Sequence, residues 1–362
     1  MTSKEMSSNK IRVGIIGASG FVGGELLRIL LRHPNVEITV ATSREYKGEY
    51  VFKIHPHLRG QTMLRFVEPD IDKISNSCDV VFLAVPHGQS LHMVPKLLEL
   101  GLRVLDLSAD YRLKDPEAYV RWYDWREPHP YPDLLKKAVY GLPEIHRDEL
   151  RNANLVAVAG CMATAGILSL LPLVRHRLIE FDKIVIDAKI GSSGAGAHAP
   201  RLDLHAYRTY VVRPYEVTEH RHIAEIEQEL SLAAGEPVKV AFTPHAVDIV
   251  RGILVTSHSW ARGSVTEPQL WKSFRETYLN EPFVRIARDK TGMHRYPDVK
   301  YVIGSNYCDV GFDIDSRLGR IVTFAAIDNL MKGAAGQAVQ CFNIMMGFDE
   351  RTALDLCPLF PV

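Results

Sequence analysis

The chain has 362 residues, 46% hydrophobic and 24% charged, and its 43 basic residues are matched by 43 acidic ones. That length predicts more than one core, and zero formal net charge gives no reason to expect nucleic acid or an anionic membrane as a partner. No apolar run reaches membrane-spanning length, and five scattered cysteines with no CxxC pair argue against a zinc ribbon or disulfide framework and for a reducing cytoplasm.

In chain order, "MTSKEMSSNK" reads as a polar tail without the apolar centre of a secretory signal. "IRVGIIGASGFVGGELLRIL" then predicts a buried strand from Ile11 to Ile16, a glycine turn, and an amphipathic helix from Glu25 to Leu31 ended by Pro34. Val36 to Ala41 returns as a second strand. Gly17, Gly20 and Gly23 lack the Cβ atoms that would hold a pyrophosphate away from the helix N-terminus. The spacing is GxxGxxG rather than GxGxxG, so tight helix–sheet packing alone is the competing explanation. After the second strand, "ATSREY" offers Ser43 and Arg44 to a 2′-phosphate, which favours NADP, while Glu45 opposes that reading if its carboxylate points inward.

Further strands are predicted at Val80 to Val85 and Val104 to Leu107, each ending in polar residues suited to ligand contact. "LVAVAGCMATAG" predicts a strand running into Cys161, then a helix from Thr164 to about Leu178. A helix start lowers a thiol pKa and receives an oxyanion; a small buried hydrophobe is the competing role for Cys161.

The second half reads as longer strands of antiparallel character, with a helix around Ile223 to Leu232 and a closing helix rich in small residues. The expected fold is therefore α/β: a Rossmann-type domain over residues 1–160, an α+β catalytic domain with a mixed sheet over 161–329, and a segment 330–362 returning to the first domain. "KIGSSGAGAHAP" is either a donor-rich loop for phosphate or nicotinamide or a linker. In "RPYEVTEHRHIAEIEQEL", His220 and His222 are candidate proton donors, and Arg213 and Arg221 are candidate grips for a carboxylate or phosphate. Either histidine is equally readable as a solvated or capping residue. HxH lacks an obvious third ligand, so no metal site is expected. Cys308 reads as core, and Cys341 and Cys357 have no chemical setting.

Taken as an ordered set over nearly the whole chain, "GIIGASGFVGGELLRIL", "VYGLPEIHRDEL", "AGCMATAG", "GSSGAG", "HRHIAEIEQEL", "TPHAVDIVRGIL" and "DNLMKGAAGQAVQCFN" resemble the N-acetyl-γ-glutamyl-phosphate reductase family. "ATSREY", "LDLSADYRLKDP", "VRPYE" and "YVIGSNYCDVGFDI" are similar to its archaeal branch, which acts on substrates held by an amino-group carrier protein. The resemblance implies NADPH-dependent reduction of a carrier-bound aminoadipyl or glutamyl phosphate to the semialdehyde, in lysine or arginine biosynthesis, with release of inorganic phosphate. It implies that Cys161 accepts the acyl group and that Ser19, Gly20, Phe21 and Val22 line the pyrophosphate turn between Gly17 and Gly23. Ser43, Arg44 and Glu45 then read the ribose and its phosphate, and Ser193, Gly194 and Asn329 approach the nicotinamide. The acid–base histidine is His220 in preference to His222, and Arg112 joins Arg213 and Arg221 as a substrate-binding candidate. Also implied are an acidic carrier protein, met by a basic rim drawn from Arg201, Arg208, Arg213 and Arg221, and a homodimer or homotetramer. Departures are Ala159 where relatives carry proline, Met162 after the cysteine, and the "SGAGAHAP" continuation. The rival readings are a reductase of the free acetylated substrate, an aspartate-semialdehyde dehydrogenase-like enzyme, and a non-enzymatic nucleotide sensor.

Overall fold

The computed structural model describes residues 10–197 and 201–362. The polar tail over residues 1–9 and the end of "SGAGAHAP", residues 198–200, lie outside the described residues. The first sheet contains β1 (Ile11–Ile16), β2 (Val36–Ala41), β3 (Val80–Leu83), β4 (Arg103–Asp106), β5 (Val139–Gly141) and β6 (Leu155–Val158). They run in the order β2-β1-β3-β4-β6-β5 and every pairing is parallel. β3 and β6 are buried along their whole length, which is why they read as continuous apolar runs. β3 ends at Leu83 rather than Val85, because Pro86 lacks an N–H and restricts the residue before it.

The second sheet contains β7 (Ile179–Ile190), β8 (Val212–Pro214), β9 (Val240–Val247), β10 (Ile253–Ala261), β11 (Val284–Ile286), β12 (Cys308–Asp315) and β13 (Arg320–Ile327). Its order is β11-β12-β13-β10-β7-β9-β8. The central pairings β12–β13, β13–β10 and β10–β7 are antiparallel, whereas β7–β9 and β11–β12 are parallel, so the sheet is mixed. Along β10, buried residues alternate with half-buried ones, the period expected of a sheet covered on one face. The covering element is the helix Cys161–Arg175, whose residues from Met162 to Val174 are all buried. A helix apolar all round belongs inside a core.

This helix starts three residues earlier than the expected Thr164 and stops at Arg175. Gly160 is extended (φ −68°, ψ 147°) and lets the turn begin at the cysteine, while Arg177 adopts φ 52°, which a helix does not accommodate. After β13, a π-helix at Met331–Ala335 leads into the helix Gly336–Met345, and Met331, Ala338 and Phe342 pack with Val13, Leu26 and Phe82. The end of the chain therefore closes the core begun by β1. Two arginines tie the halves together: Arg251 pairs with Glu25 and Asp328, and Arg147 pairs with Glu281 and Glu350.

Candidate active site

The glycine turn joins β1 to the helix Phe21–Leu30. Gly17 has φ +83°, and a Cβ there would meet the Ala84 carbonyl oxygen at 2.3 Å. A Cβ on Gly23 would meet Ala18 backbone atoms at 2.6 Å, so this glycine brings helix and turn together. At Gly20 a Cβ would meet only the Gly17 oxygen, at 3.9 Å. Gly20 also caps the helix with no side-chain hydrogen bond, so the first-turn N–H groups face an open cradle. Ser19 and Ser43 share a hydroxyl–hydroxyl bond of 3.0 Å, and Ser43 also accepts from the Tyr46 N–H. Thr42, which the sequence reading passed over, accepts the Gly17 N–H at 3.2 Å. Phe21 is half exposed at the mouth, and Arg44 and Glu45 are exposed beyond β2. This cradle fits a dinucleotide pyrophosphate, with polar and cationic groups where a ribose phosphate would lie.

The loops after β3 and β4 are stitched together by buried acids. Ser90 donates to Asp106 and Asp110, and Asp110 accepts the N–H groups of Gly88 and Leu91. Burial and the neighbouring Asp110 raise the Asp106 carboxyl to about 6. The β4 loop carries Arg112 beneath Cys161.

Cys161 stands at the first turn of its helix, one residue from Gly160. A Cβ on Gly160 would lie 2.5 Å from His222 Nε2 and 2.8 Å from Glu225 Oε1, so the absence of one lets the HRH helix reach the cysteine turn. Glu225, fully buried, accepts the Gly160 N–H at 2.9 Å and the Tyr140 hydroxyl at 2.8 Å and pairs with Arg112 at 3.2 Å. It organises the site, yet "HRHIAEIEQEL" holds several glutamates and only the 65-residue closure singles this one out. Burial raises the Cys161 thiol above its ordinary value, opposed by Arg112, the Met162 N–H and Arg221. The expected lowering by the helix start is thus present but outweighed, because desolvation of a thiolate costs more than one turn of N–H groups returns.

His220 and His222 are both buried, with ring centroids 4.7 Å apart. His220 Nδ1 accepts the His222 backbone N–H at 3.2 Å, which places the His220 proton on Nε2, 3.6 Å from Glu216. Burial, aided by Arg221, holds His220 down at about 3. His222 is lowered in the same way, and its Nδ1 has no hydrogen-bond partner among the described residues.

The three arginine candidates separate. Arg112 is not a free substrate grip: it is 6% exposed and donates to the Val158 and Leu107 carbonyls and to Glu225, so it positions the cysteine turn instead. Arg213 sits on edge strand β8 and donates to the Leu202 carbonyl. Arg221 keeps a buried Nε without a hydrogen-bond partner among the described residues and acts electrostatically on Cys161 and both neighbouring histidines. Ser193 and Asn329 are brought together, the Asn329 amide donating to the Ser193 hydroxyl at 2.9 Å, and Gly194 leaves room for Ile190. Within the expected basic rim, Arg201 donates to the Tyr207 hydroxyl and Arg208 is buried on the Ile190 carbonyl, so Arg208 is no rim residue. Tyr215 was not anticipated: its hydroxyl lies 4.0 Å from Met162 Sδ and its ring packs on His220. Among the described residues, no cluster of His, Cys, Asp and Glu is placed to hold a metal, and no helix is long and apolar enough to cross a membrane.

A dinucleotide cradle leading to a strand-to-helix cysteine beside two histidines and an arginine is the arrangement of a nucleotide-dependent oxidoreductase. Residues 12–153 match the family described as semialdehyde dehydrogenase, NAD binding domain, and residues 161–329 match semialdehyde dehydrogenase, dimerisation domain. The chain belongs to the semialdehyde dehydrogenase family. A protein of Pyrobaculum aerophilum, named "Putative [LysW]-L-2-aminoadipate/[LysW]-L-glutamate phosphate reductase", is 64% identical over 97% of this chain and 100% of its own length. The Saccharolobus solfataricus "[LysW]-L-2-aminoadipate/[LysW]-L-glutamate phosphate reductase" is 54% identical over 98% of this chain and 99% of its own. Among solved structures, aspartate semialdehyde dehydrogenase II of Vibrio cholerae superposes with a TM-score of 0.70 at 18% identity over 94% of this chain and 99% of its own, a likeness of fold.

Proposed function

We propose that this chain reduces a LysW-bound aminoadipyl or glutamyl phosphate to the corresponding semialdehyde, with NADPH as reductant and Cys161 as the acyl-accepting nucleophile. The observation that carries the chemistry is the placement of Cys161 at a helix start between Gly160 and Gly333, beside Arg221 and the tautomer-fixed His220. The LysW-bound substrate is supported by relatives bearing that name at 54–64% identity over nearly the full chain.

In this reading the Cys161 sulfur bonds to the acyl carbon, the carbon–oxygen bond to phosphate breaks, and the thiol proton leaves with the phosphate. Arg221 offsets the charge gathering on that leaving group. When bound in the glycine cradle, NADPH supplies the hydride that reduces the thioester. His220 Nε2–H, on an imidazole that stays neutral, donates a hydrogen bond to the oxygen as it gains alkoxide charge, and that charge collapses as the carbon–sulfur bond breaks to release aldehyde and the Cys161 thiolate. The thiolate left behind recovers its proton from solvent. Burial of Met162 and the histidine pair around the partly buried Cys161 limits the water that would hydrolyse the thioester. Ser43 and Arg44 support NADPH over NADH.

The exposed face of the second sheet, with Val185, Thr256, His258 and Trp260 facing away from the Cys161–Arg175 helix, is the surface offered to a second copy of the chain. The working form in this reading is a homodimer or homotetramer in the cytoplasm. The deciding experiment measures NADPH oxidation with LysW-bound aminoadipyl phosphate, LysW-bound glutamyl phosphate, free N-acetylglutamyl phosphate and aspartyl phosphate. Turnover with either carrier-bound substrate and little with the free ones is expected. Preference for N-acetylglutamyl phosphate or aspartyl phosphate would overturn the carrier-bound assignment.

A further inference from the structure

Lys332 is fully buried, an unusual place for an ammonium group, whose desolvation is costly. Its Nζ lies 2.6 Å from Oε1 of Glu144, whose side chain is also fully buried, and 2.8 Å from Gln340 Oε1. Replacing such a pair by apolar side chains is often neutral or stabilising, so stability alone is a weak reason for it. Its position is more informative.

Lys332 belongs to the π-helix Met331–Ala335, a widened turn of a kind that recurs at functional sites. The next residue, Gly333, is pressed against the nucleophile: a Cβ there would lie 2.7 Å from Cys161 Cβ and 3.3 Å from Cys161 Cα. One turn on, the Gln337 amide donates to the Thr164 hydroxyl at 3.1 Å, within the first turn of the Cys161 helix. At the far end of that helix, Arg175 donates to the Glu144 backbone carbonyl at 3.1 Å. The Glu144–Lys332 pair thus joins the two segments that grip the Cys161 helix at both ends. Regular α-helical winding through this turn would shift each following residue about 100° around the axis, turning Gly333 away from Cys161.

We infer that Lys332 is a positioning residue for the reaction: held by Glu144 and Gln340, it keeps the wide turn that sets Gly333 against Cys161 and so aims the thiol. The inference rests on Cys161 being the nucleophile, as argued above, but its primary readout does not require the substrate assignment.

The test uses the full chain. Lys332→Met/Glu144→Met removes both charges together, so neither is left buried alone. Iodoacetamide labelling of Cys161 is followed against pH by peptide mapping, which separates it from exposed Cys357, with melting temperature and NADPH affinity measured alongside. The expected result is a folded protein with wild-type NADPH affinity, a displaced pH profile for Cys161 labelling, and turnover lowered about 10- to 100-fold. A folded double variant with the wild-type labelling profile and wild-type turnover overturns the inference. Gly333→Ala leaves the ion pair intact and decides the matter should the double variant not fold: altered Cys161 labelling supports the contact, and unaltered labelling overturns it. Displaced labelling in a protein that reduces no acyl phosphate would leave the positioning role standing and remove the proposed substrate.

Discussion

Cys161 holds its proton more tightly than an ordinary cysteine because burial outweighs the Met162 N–H and the two nearby guanidinium groups. Cys161→Ser keeps this geometry with a far weaker nucleophile. It is expected to retain its melting temperature and NADPH affinity while turnover falls by at least about 1000-fold, as steady-state rates and ligand titration would show. The two histidines differ in what holds them: the His220 proton is fixed on Nε2 by the His222 N–H, whereas His222 is wedged against Gly160 and Glu225. His220→Asn is expected to lower kcat by about 100-fold with little thermal effect. His222→Asn is expected to lower the melting temperature as well, and equal loss of kcat without it would reverse the assignment.

At the scale of elements, the strand-to-helix turn at Gly160 has no room for a side chain. Gly160→Ala drives a methyl group into His222 and Glu225, so the HRH helix must retreat from the cysteine turn. The expected outcome is a loss of about 1–3 kcal/mol in stability, read by denaturant unfolding, together with lowered turnover. The β2 turn gives a separate test. Arg44→Ala removes one exposed cation beside Ser43, and KM for NADPH is expected to rise about tenfold while KM for NADH is unchanged. A matching rise with both cofactors would mean that Arg44 does not read the 2′-phosphate.

For the molecule as a whole, buried neutral histidines dominate the response to acid. His129 and His220 are held down to about 4 and about 3 from an ordinary 6.5, chiefly by burial, and His222 is lowered with them. Between those values the unfolded chain binds protons that the folded chain excludes, so their stabilising share is complete above 6.5 and shrinks as pH falls. Asp106, raised to about 6 by burial and Asp110, has the opposite sign and favours the folded state below that pH. His146, raised by Glu229 and Glu149 despite its burial, works in the same direction as Asp106. His33, His55, His87 and His258 are lowered by burial as well, so the lowered histidines outnumber the raised groups Asp106, Asp309 and His146, and melting temperature is expected to fall from about pH 6.5 toward about pH 4. A flat melting profile over that range, measured by calorimetry, would contradict this balance.

The sequence by itself determined the glycine turn between strand and helix, the strand leading to Cys161 and the mixed sheet of the second half. Each is a local pattern whose spacing follows directly from strand and helix geometry, which is why Ile11–Ile16 and Val36–Ala41 were legible to the residue. The pairing of Ser193 with Asn329 was reachable only through family resemblance, since the two lie 136 positions apart. Tertiary structure alone decided that Arg112 pairs with Glu225, that Glu225 binds the cysteine turn to the HRH helix, and that the buried Lys332 adjoins Gly333. These roles depend on which charges are buried together, and burial is settled by contacts between segments that no local spacing encodes.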